Sequence, residues 1–469
     1  MILPMRMKTV LLATAMMFAV SLSFAAGDAP ATANCARPMS MGGAFTAVAD
    51  DENAFFYNPA GITQRQTKLI QFFSLKASVN TQLSNFTRFI SDNLNDLENF
   101  DSLSSEQQSA LLEKINNKIA GSASSLFLSM PDIAYISAPL QLDGNGNSLS
   151  WGAGLFSYVN ANLQFNHSIV VPSITYLGEA TAVAAIPVAY KINSLEAVKL
   201  PGSLSVGANI KYIYRGKIED TDMSVAEFEN YSLPMQSGSG YGFDFGLLYS
   251  LNPRWNFGMQ LADAFYTNIK YSKFTDNDDP SRSRDAYTAG IRPRFNLGAA
   301  WFPEKVYYWP GRFIETGNRL TLAADLNDIA NDDETLTGSF WKKTHLGAEF
   351  KYGWMSFRAG FNSGYPTAGF GFNIIDFIQL EYAFYGEETG RFAGQNPSWN
   401  NMASVSIKIG QNGGRTGKKA AEKNTPVPDN KQKNAENPAD NTNTDVQPFK
   451  IPADAKETIK TPAQITEVK

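Results

Sequence analysis

The chain of 469 residues has one cysteine, two histidines and only 18 % charged residues. Past the first 25 residues it also lacks any apolar run long enough to cross a bilayer as a helix. Each scarcity excludes something. A lone Cys35 makes no internal disulfide, and with so few histidines a zinc or other transition-metal site has no ligand set. No metal and no cofactor are therefore assigned. Lysine and arginine total 40 against 45 aspartates and glutamates, a formal charge of −5, which is the wrong balance for nucleic acid. No Gly-x-Ser-x-Gly elbow accompanies His167 or His345, so no catalytic residue is assigned and an enzyme is not expected. Asp263, Asp325, Asp328 and the run Asp276-Asn277-Asp278-Asp279 could hold calcium in a loop, but they match no calcium-loop spacing and read as solvated acidic turns.

What is present points elsewhere. Arg6 and Lys8 precede the apolar run Thr9 to Phe24, and Ser23 with Ala25 gives small residues at signal-peptidase spacing. Residues 1–25 read as a cleaved secretory signal. Cys35 follows Ala33 and Asn34 with no leucine at the third position back, so it is not a lipidation site. The full chain is rich in rings, with 19 Tyr and 32 Phe. An exported, aromatic, weakly charged chain without a membrane helix suits a transmembrane β-barrel or a large secreted β-protein.

Period-two alternation recurs along the chain. In Gly202–Arg215, Leu204, Val206, Ala208, Ile210, Tyr212 and Tyr214 share one face. Ser205, Gly207, Asn209, Lys211 and Arg215 share the other, with Ile213 the exception. Tyr241 to Tyr249, Leu320 to Leu326, Leu346 to Tyr352 and Ala403 to Ile409 repeat the pattern. About fourteen such segments lie near 67–79, 124–138, 149–160, 166–177, 181–192, 203–216, 239–251, 254–266, 286–302, 319–329, 341–352, 354–362, 367–386 (one strand or two) and 400–410. Their length and aromatic ends suit tilted strands spanning a bilayer, with short turns at one end and longer loops at the other. The same alternation also describes a soluble sandwich or barrel with the apolar face inside. Which face is buried decides between them.

Two segments break the pattern. Residues 86–121 contain Ser104, Gln107, Leu111, Leu112, Ile115 and Ile119, the marks of a capped amphipathic helix. Such a helix caps the external mouth or packs on a neighbouring loop. Residues 411–469 are rich in Lys, Asn, Pro and Thr and nearly free of rings, so a disordered periplasmic tail is expected, a site for a periplasmic partner or a passive end. This tail displaces the aromatic final residue common in barrels; Ile409 ends the last strand instead.

Met41–Gly61 carries the sharpest signal. Gly42 and Gly43 permit conformations and approaches that a Cβ forbids. Asp50, Asp51 and Asn53 suit turns or helix caps, and Asn58-Pro59-Ala60-Gly61 reads as a turn with Gly61 left-handed. Phe45, Val48, Phe55, Phe56 and Tyr57 supply apolar packing. The segment Ala36 to Asp51, followed by Phe56 to Gly61, resembles the amino-terminal signature of FadL-type outer membrane proteins, close to their PorV-like and uncharacterised branch. The resemblance implies a fourteen-stranded transmembrane antiparallel β-barrel in the outer membrane of a Gram-negative-type bacterium. It implies an amino-terminal hatch, here residues 26–65, folded inside the lumen of a barrel at 66–410. It also implies passive uptake of small hydrophobic molecules such as long-chain fatty acids, the barrel itself sitting in outer membrane lipid. PorV-like relatives act instead as scaffolds or shuttles in protein secretion, and that alternative stays open.

Overall fold

The computed structural model describes residues 34–410, apart from 100–101, 119–122, 167–172, 197–198, 225–234, 278–279, 310–311, 318, 331–339, 376 and 390–392. The expected signal, the start of the expected hatch, His167 and the tail lie outside the described residues.

Fourteen antiparallel strands form one closed sheet. They are β1 (Leu69–Asn80), β2 (Ala123–Ser129 and Ile133–Ile136), β3 (Ser148–Asn166), β4 (Ser173–Ile192), β5 (Ser203–Ser224), β6 (Met235–Asn252) and β7 (Trp255–Ala262 and Thr267–Tyr271). The other seven are β8 (Tyr287–Ile291 and Arg294–Trp301), β9 (Leu320–Leu326), β10 (Thr344–Tyr352), β11 (Met355–Asn362), β12 (Tyr365–Ile374), β13 (Ile378–Glu388) and β14 (Pro397–Ile409). Each pairs with its neighbour in sequence, and β1 closes on β14 in a ladder from Ile70↔Ile409 to Asn80↔Asn400. Among the described residues each barrel strand is paired on both sides, the condition for a sheet to cross hydrocarbon.

The expected strand count holds because one merging of two segments is offset by a split that the sequence left open. Segments 166–177 and 181–192 belong to one long strand, β4, preceded by the end of β3, because Thr175–Ala182 continues the ladder without a turn. The stretch 367–386 divides instead into β12 and β13.

Burial decides which face meets what. On β5, Val206, Ile210, Tyr212 and Tyr214 are 40–52 % exposed, whereas Ser205, Asn209, Lys211 and Arg215 are 0–3 % exposed. On β6, Tyr241, Phe243, Phe245 and Leu247 point out, and Asp244 is buried. A soluble protein would place those rings inside; a barrel whose outer face is apolar and whose lumen is polar places them against lipid. Rings gather at both ends of the band. Tyr212 and Tyr241 meet near the long-loop end, 5.2 Å between centroids. Tyr135 with Trp151 (5.0 Å) and Trp255 with Trp301 (5.7 Å) lie near the short-turn end. Amphipathic rings favour these two depths. Ile213, the exception to the sequence pattern, faces inward and is fully buried in the luminal core.

The wall is uneven in height. Strands β3 to β6 run 18–22 residues, whereas β9 to β12 run 7–10. The excursion between β1 and β2 leans on the tall side as α3 (Thr81–Asp92), α4 (Leu94–Glu98) and α5 (Ser105–Lys118), numbered after two helices of the amino-terminal segment described below. Asn80 caps α3 by accepting from the Leu83 amide (2.9 Å), so the helices begin directly where β1 stops, earlier than residue 86. Ser104 and Gln107 exchange bonds at the start of α5 (3.3 and 3.1 Å). Phe86, Phe89, Leu111 and Ile115 bury themselves on Ala161, Leu163 and Tyr176. Those wall residues have the outward parity of Trp151 and Leu155 on β3 and of Ile186 and Val188 on β4. The helices therefore cover the outside of the rim and do not cap the mouth.

Candidate functional site

Residues 34–65 fill the lumen. They form α1 (Ala36–Ser40), α2 (Ala54–Tyr57) and a 3-10 turn (Pro59–Gln64) joined by tight bends. Phe45, Phe55, Ala44, Ala47 and Ile62 have no exposed surface. So short and irregular a segment holds its shape because the wall supplies the partners that its own backbone lacks.

The wall addresses the hatch backbone group by group. Asp325 of β9 accepts from the amides of Phe45 (2.8 Å) and Thr46 (2.7 Å). Asn209 of β5 donates to the Phe55 carbonyl (2.9 Å), and Gln260 of β7 donates to that of Phe56 (2.7 Å). His345 of β10 meets the Gly42 carbonyl (2.7 Å), and Thr367 of β12 donates to that of Ser40 (3.1 Å). Asn58 donates to the Thr46 carbonyl (2.9 Å) and to the wall carbonyl of Leu247 (3.0 Å), while its oxygen accepts from Ala60 (3.1 Å) and caps the 3-10 turn.

Ions hold the rest. Arg37 grips Glu349 of β10 with two nitrogens (2.9 and 2.7 Å) and reaches Asp50 and Asp51 with a third (both 2.5 Å). Arg358 of β11 supports the same Glu349 (2.8 Å). Burial alone would depress the Arg37 guanidinium, but Asp50, Glu349 and Asp51 outweigh it and hold its pKa well above the usual range. Glu52 pairs with Lys408 of β14 (2.6 Å). Lys76 of β1 sits between Asp132 (2.6 Å) and the Cys35 sulfur (3.1 Å), and burial pushes that thiol up to about 11.

Most residues singled out in the sequence meet here. Gly42 (φ +63°) and Gly43 (φ +79°) are left-handed, and a Cβ on Gly42 would lie 2.4 Å from the carbonyls of Leu346 and Phe361. Gly61 corrects the sequence reading. It is absent from the left-handed glycines, and the Asn58-Pro59-Ala60-Gly61 stretch opens a 3-10 turn. Glycine is required because a Cβ would lie 2.2 Å from the Ala49 carbonyl. Asp51 accepts from the Asn53 amide (2.9 Å) as a turn residue, but the larger task of Asp50 and Asp51 is to hold Arg37. Phe45 packs edge-on to Tyr57 (5.4 Å) and lies under the Arg37 guanidinium (5.0 Å). Sequence reasoning missed Arg37, Glu349, Asp325 and Lys408 as a set. Alternation placed the last three on polar strand faces; nothing in it paired them across up to 356 residues.

One side of the hatch is held differently. The hydrogen bonds and ion pairs above fall on β1, β5 to β7, β9, β10, β12 and β14. Against β3 the hatch presents rings. Phe55 lies over Gly152 and Gly154, where a Cβ would come within 3.0 Å of it. Phe156 stands edge-on to Phe55 (5.4 Å) and to Phe56 (4.8 Å). Phe127, Tyr158, Val183, Ile213 and Ile269 continue the apolar surface around them.

The Glu52–Lys408 pair gives the mounting of the hatch a pH dependence. Burial pushes the Glu52 carboxyl up, but Lys408 opposes this and wins, holding the folded pKa below its ordinary 4.5. The pair therefore contributes fully above that value and is lost as pH falls through the lower folded pKa. The expected result is a closed lumen from neutral pH down to about 5, with added ion conductance only in stronger acid, read in planar bilayers. Glu52→Gln is expected to abolish the Glu52 share of that acid step.

No protein-family model matches the chain, and no curated protein does. Among solved structures it is similar to the CymD monoaromatic hydrocarbon channel (13 % identity, 80 % of this chain and 96 % of that one, TM-score 0.43). It is also similar to the Ralstonia pickettii toluene transporter TbuX (11 %, 79 % and 97 %, 0.43) and the Pseudomonas putida toluene transporter TodX (12 %, 79 % and 96 %, 0.40). Identities and scores this low bear no weight on cargo. The chain's own wall defines the class: a transmembrane β-barrel with an internal hatch.

Proposed function

We propose that the protein is an outer membrane channel of FadL type for passive uptake of small hydrophobic molecules, not an enzyme, and that the hatch is its closure. The observation that carries this is the two-sided mounting of the hatch. Polar groups fix it around most of the lumen, whereas against β3 the described contacts of Phe55 and Phe56 are with the Phe156 ring and the backbone at Gly152 and Gly154. Separating rings in favour of an apolar molecule exchanges one apolar contact for another. Separating Glu52 from Lys408 would strand a buried carboxylate, at about 3–5 kcal/mol. An apolar cargo thus has one side of the hatch along which insertion is cheap, and an ion has none. Net flow through such a passive channel follows a gradient or capture on the far side.

Mass spectrometry of protein extracted gently from its membrane tests this. Apolar small molecules are expected to co-purify and to be lost in Phe156→Ala. A stoichiometric bound polypeptide with no apolar cargo would replace the channel by the secretion scaffold.

A further inference from the structure

An apolar band crosses the inner wall from β3 to β13 and ends on a carboxylate. It starts at Phe156 and Tyr158 of β3, and Tyr158 lies 5.9 Å from Phe127 of β2. Phe127 pairs with Ser78 of β1, Ser78 pairs with Met402 of β14, and the Ser78 hydroxyl meets that of Tyr385 on β13 (3.3 Å). All of these but Ser78 belong to the buried luminal core, and Tyr57 of the hatch packs against that core. Four strand-to-strand steps of about 4.8 Å make the band about 19 Å long. Glu387 follows Tyr385 on the same inward parity, half-buried, opposite Ser398 of β14. It bears electrostatically on the phenols of both Tyr57 and Tyr385.

The charge of Glu387 sets this place apart from the rest of the lumen. Glu52, Asp132, Asp244, Glu349 and Glu381 each hold a cation at 2.6–2.9 Å. Asp325 has two hatch amides instead. Among the described residues Glu387 has no cation; it accepts from the Asn400 side-chain amide at 3.5 Å. Arg215 is already committed, to Glu179 (3.2 Å) and to the Thr181 hydroxyl (3.0 Å). A carboxylate held partly out of water without a cation is costly until something positive reaches it.

We propose that the band and Glu387 together bind an amphiphile with an ammonium head, its chain along the rings and its head on Glu387. A chain of that length buries apolar surface from Phe156 to Tyr385, and the ammonium N–H supplies the missing cation through a charge-assisted bond. A carboxylate head would instead face Glu387 and find Arg215 taken. An amine that enters chain first, by the ring side of the hatch, breaks none of the ion pairs that hold the other sides. The inference rests on the channel reading and narrows its cargo to long-chain amines.

The test uses the full-length protein in nanodiscs of zwitterionic phosphatidylcholine, with empty discs as the reference. Equilibrium binding of dodecylamine, dodecanol and dodecanoate is measured at about pH 8, where the amine is protonated and the acid ionised. Dodecylamine is expected to bind about tenfold or more tighter than dodecanol, the scale of one charge-assisted hydrogen bond, and dodecanoate to bind weakest. In Glu387→Gln, which keeps the shape of the side chain, dodecylamine should fall to the level of dodecanol and dodecanoate should gain. Phe156→Ala should weaken all three. Equal binding of amine and alcohol, or amine binding untouched by Glu387→Gln, would overturn the proposal and leave the channel reading standing. Binding of none of the three above empty discs would overturn both.

Discussion

Gly246→Val and Gly207→Ala are expected to unseat the hatch while leaving the barrel closed and folded. These glycines face the lumen from β6 and β5, where the Asn58-Pro59-Ala60-Gly61 turn rests on the wall. A Cβ on Gly207 would lie 2.4 Å from the Ala60 nitrogen and 2.6 Å from the Pro59 carbonyl carbon. One on Gly246 would lie 2.1 Å from the Asn58 Oδ1 and 2.9 Å from the Pro59 Cδ. Every one of these nearest atoms belongs to the hatch and none to the wall. The clash therefore falls wholly on the hatch, and the strand ladder Gly207↔Gly246 stays intact. Overpacking of this kind costs about 1–3 kcal/mol even where neighbours give way. Here the neighbours are backbone, a proline ring and the Asn58 amide, itself held by three hydrogen bonds, and these give little. Loss of the Asn58 bonds to Thr46 and Leu247 adds to the cost. The expected readout is sustained ion conductance in planar bilayers and protease cleavage within residues 41–61, with heat-induced unfolding of the barrel unchanged. Gly144→Ala, where nothing lies within 4 Å of the added carbon, is the control and should match the parent. A closed conductance in both lumen variants would mean that this segment is not what closes the barrel.

The contrast between Gly207 and Asp325 shows what the sequence could convey. Alternation over Gly202–Arg215 put Gly207 on the polar face beside Asn209 and Lys211, and that face is the lumen. Strand existence, the inside and outside of each strand and the compact character of residues 41–61 were all local properties, and local pattern carried them. Boundaries such as that inside 166–192 were less legible, since a strand longer than the bilayer continues past the point where its alternation weakens. The partners were not legible at all. Asp325 meets Phe45 across 280 residues, and Glu349 meets Arg37 across 312. Only closure of the sheet, β1 on β14, brings them together. The carboxylates that resembled stray acidic residues proved to be bound: Asp263 holds Lys211 (3.0 Å), and Asp325 holds hatch amides. Gly61 shows the remaining limit. Its need for glycine was legible, but the cause, a carbonyl 2.2 Å from where a Cβ would stand, is a tertiary fact.

Arg37→Met should release the hatch more completely than loss of any carboxylate that Arg37 serves. Glu349 has three cations, Arg37 (2.7 Å), Arg358 (2.8 Å) and Lys351 (3.3 Å), so it remains compensated when Arg37 goes. For Asp50 and Asp51 the described ion pairs are both to Arg37, at 2.5 Å, with side chains 13 % and 14 % exposed. Methionine keeps the bulk of the stem over Phe45 but strands two adjacent, nearly buried carboxylates, which repel each other. Removing one member of a buried pair costs about 3–5 kcal/mol, and here two pairs fail at once. Arg37→Lys should rescue only in part, because one ammonium cannot hold Glu349 with two nitrogens and reach both aspartates with another. Removing the carboxylates as well, in Arg37→Met/Asp50→Asn/Asp51→Asn, should recover much of the closure, since the charges that demanded a partner are then gone. The order of conductance expected in bilayers is Arg37→Met highest, then Arg37→Lys, then the triple variant, with Glu349→Gln separated from them by its effect on β10 to β13, where Arg358 also holds Glu381 (2.9 Å). Equal conductance in Arg37→Met and the parent would show that hydrogen bonds to the backbone, not this ion cluster, keep the hatch in place.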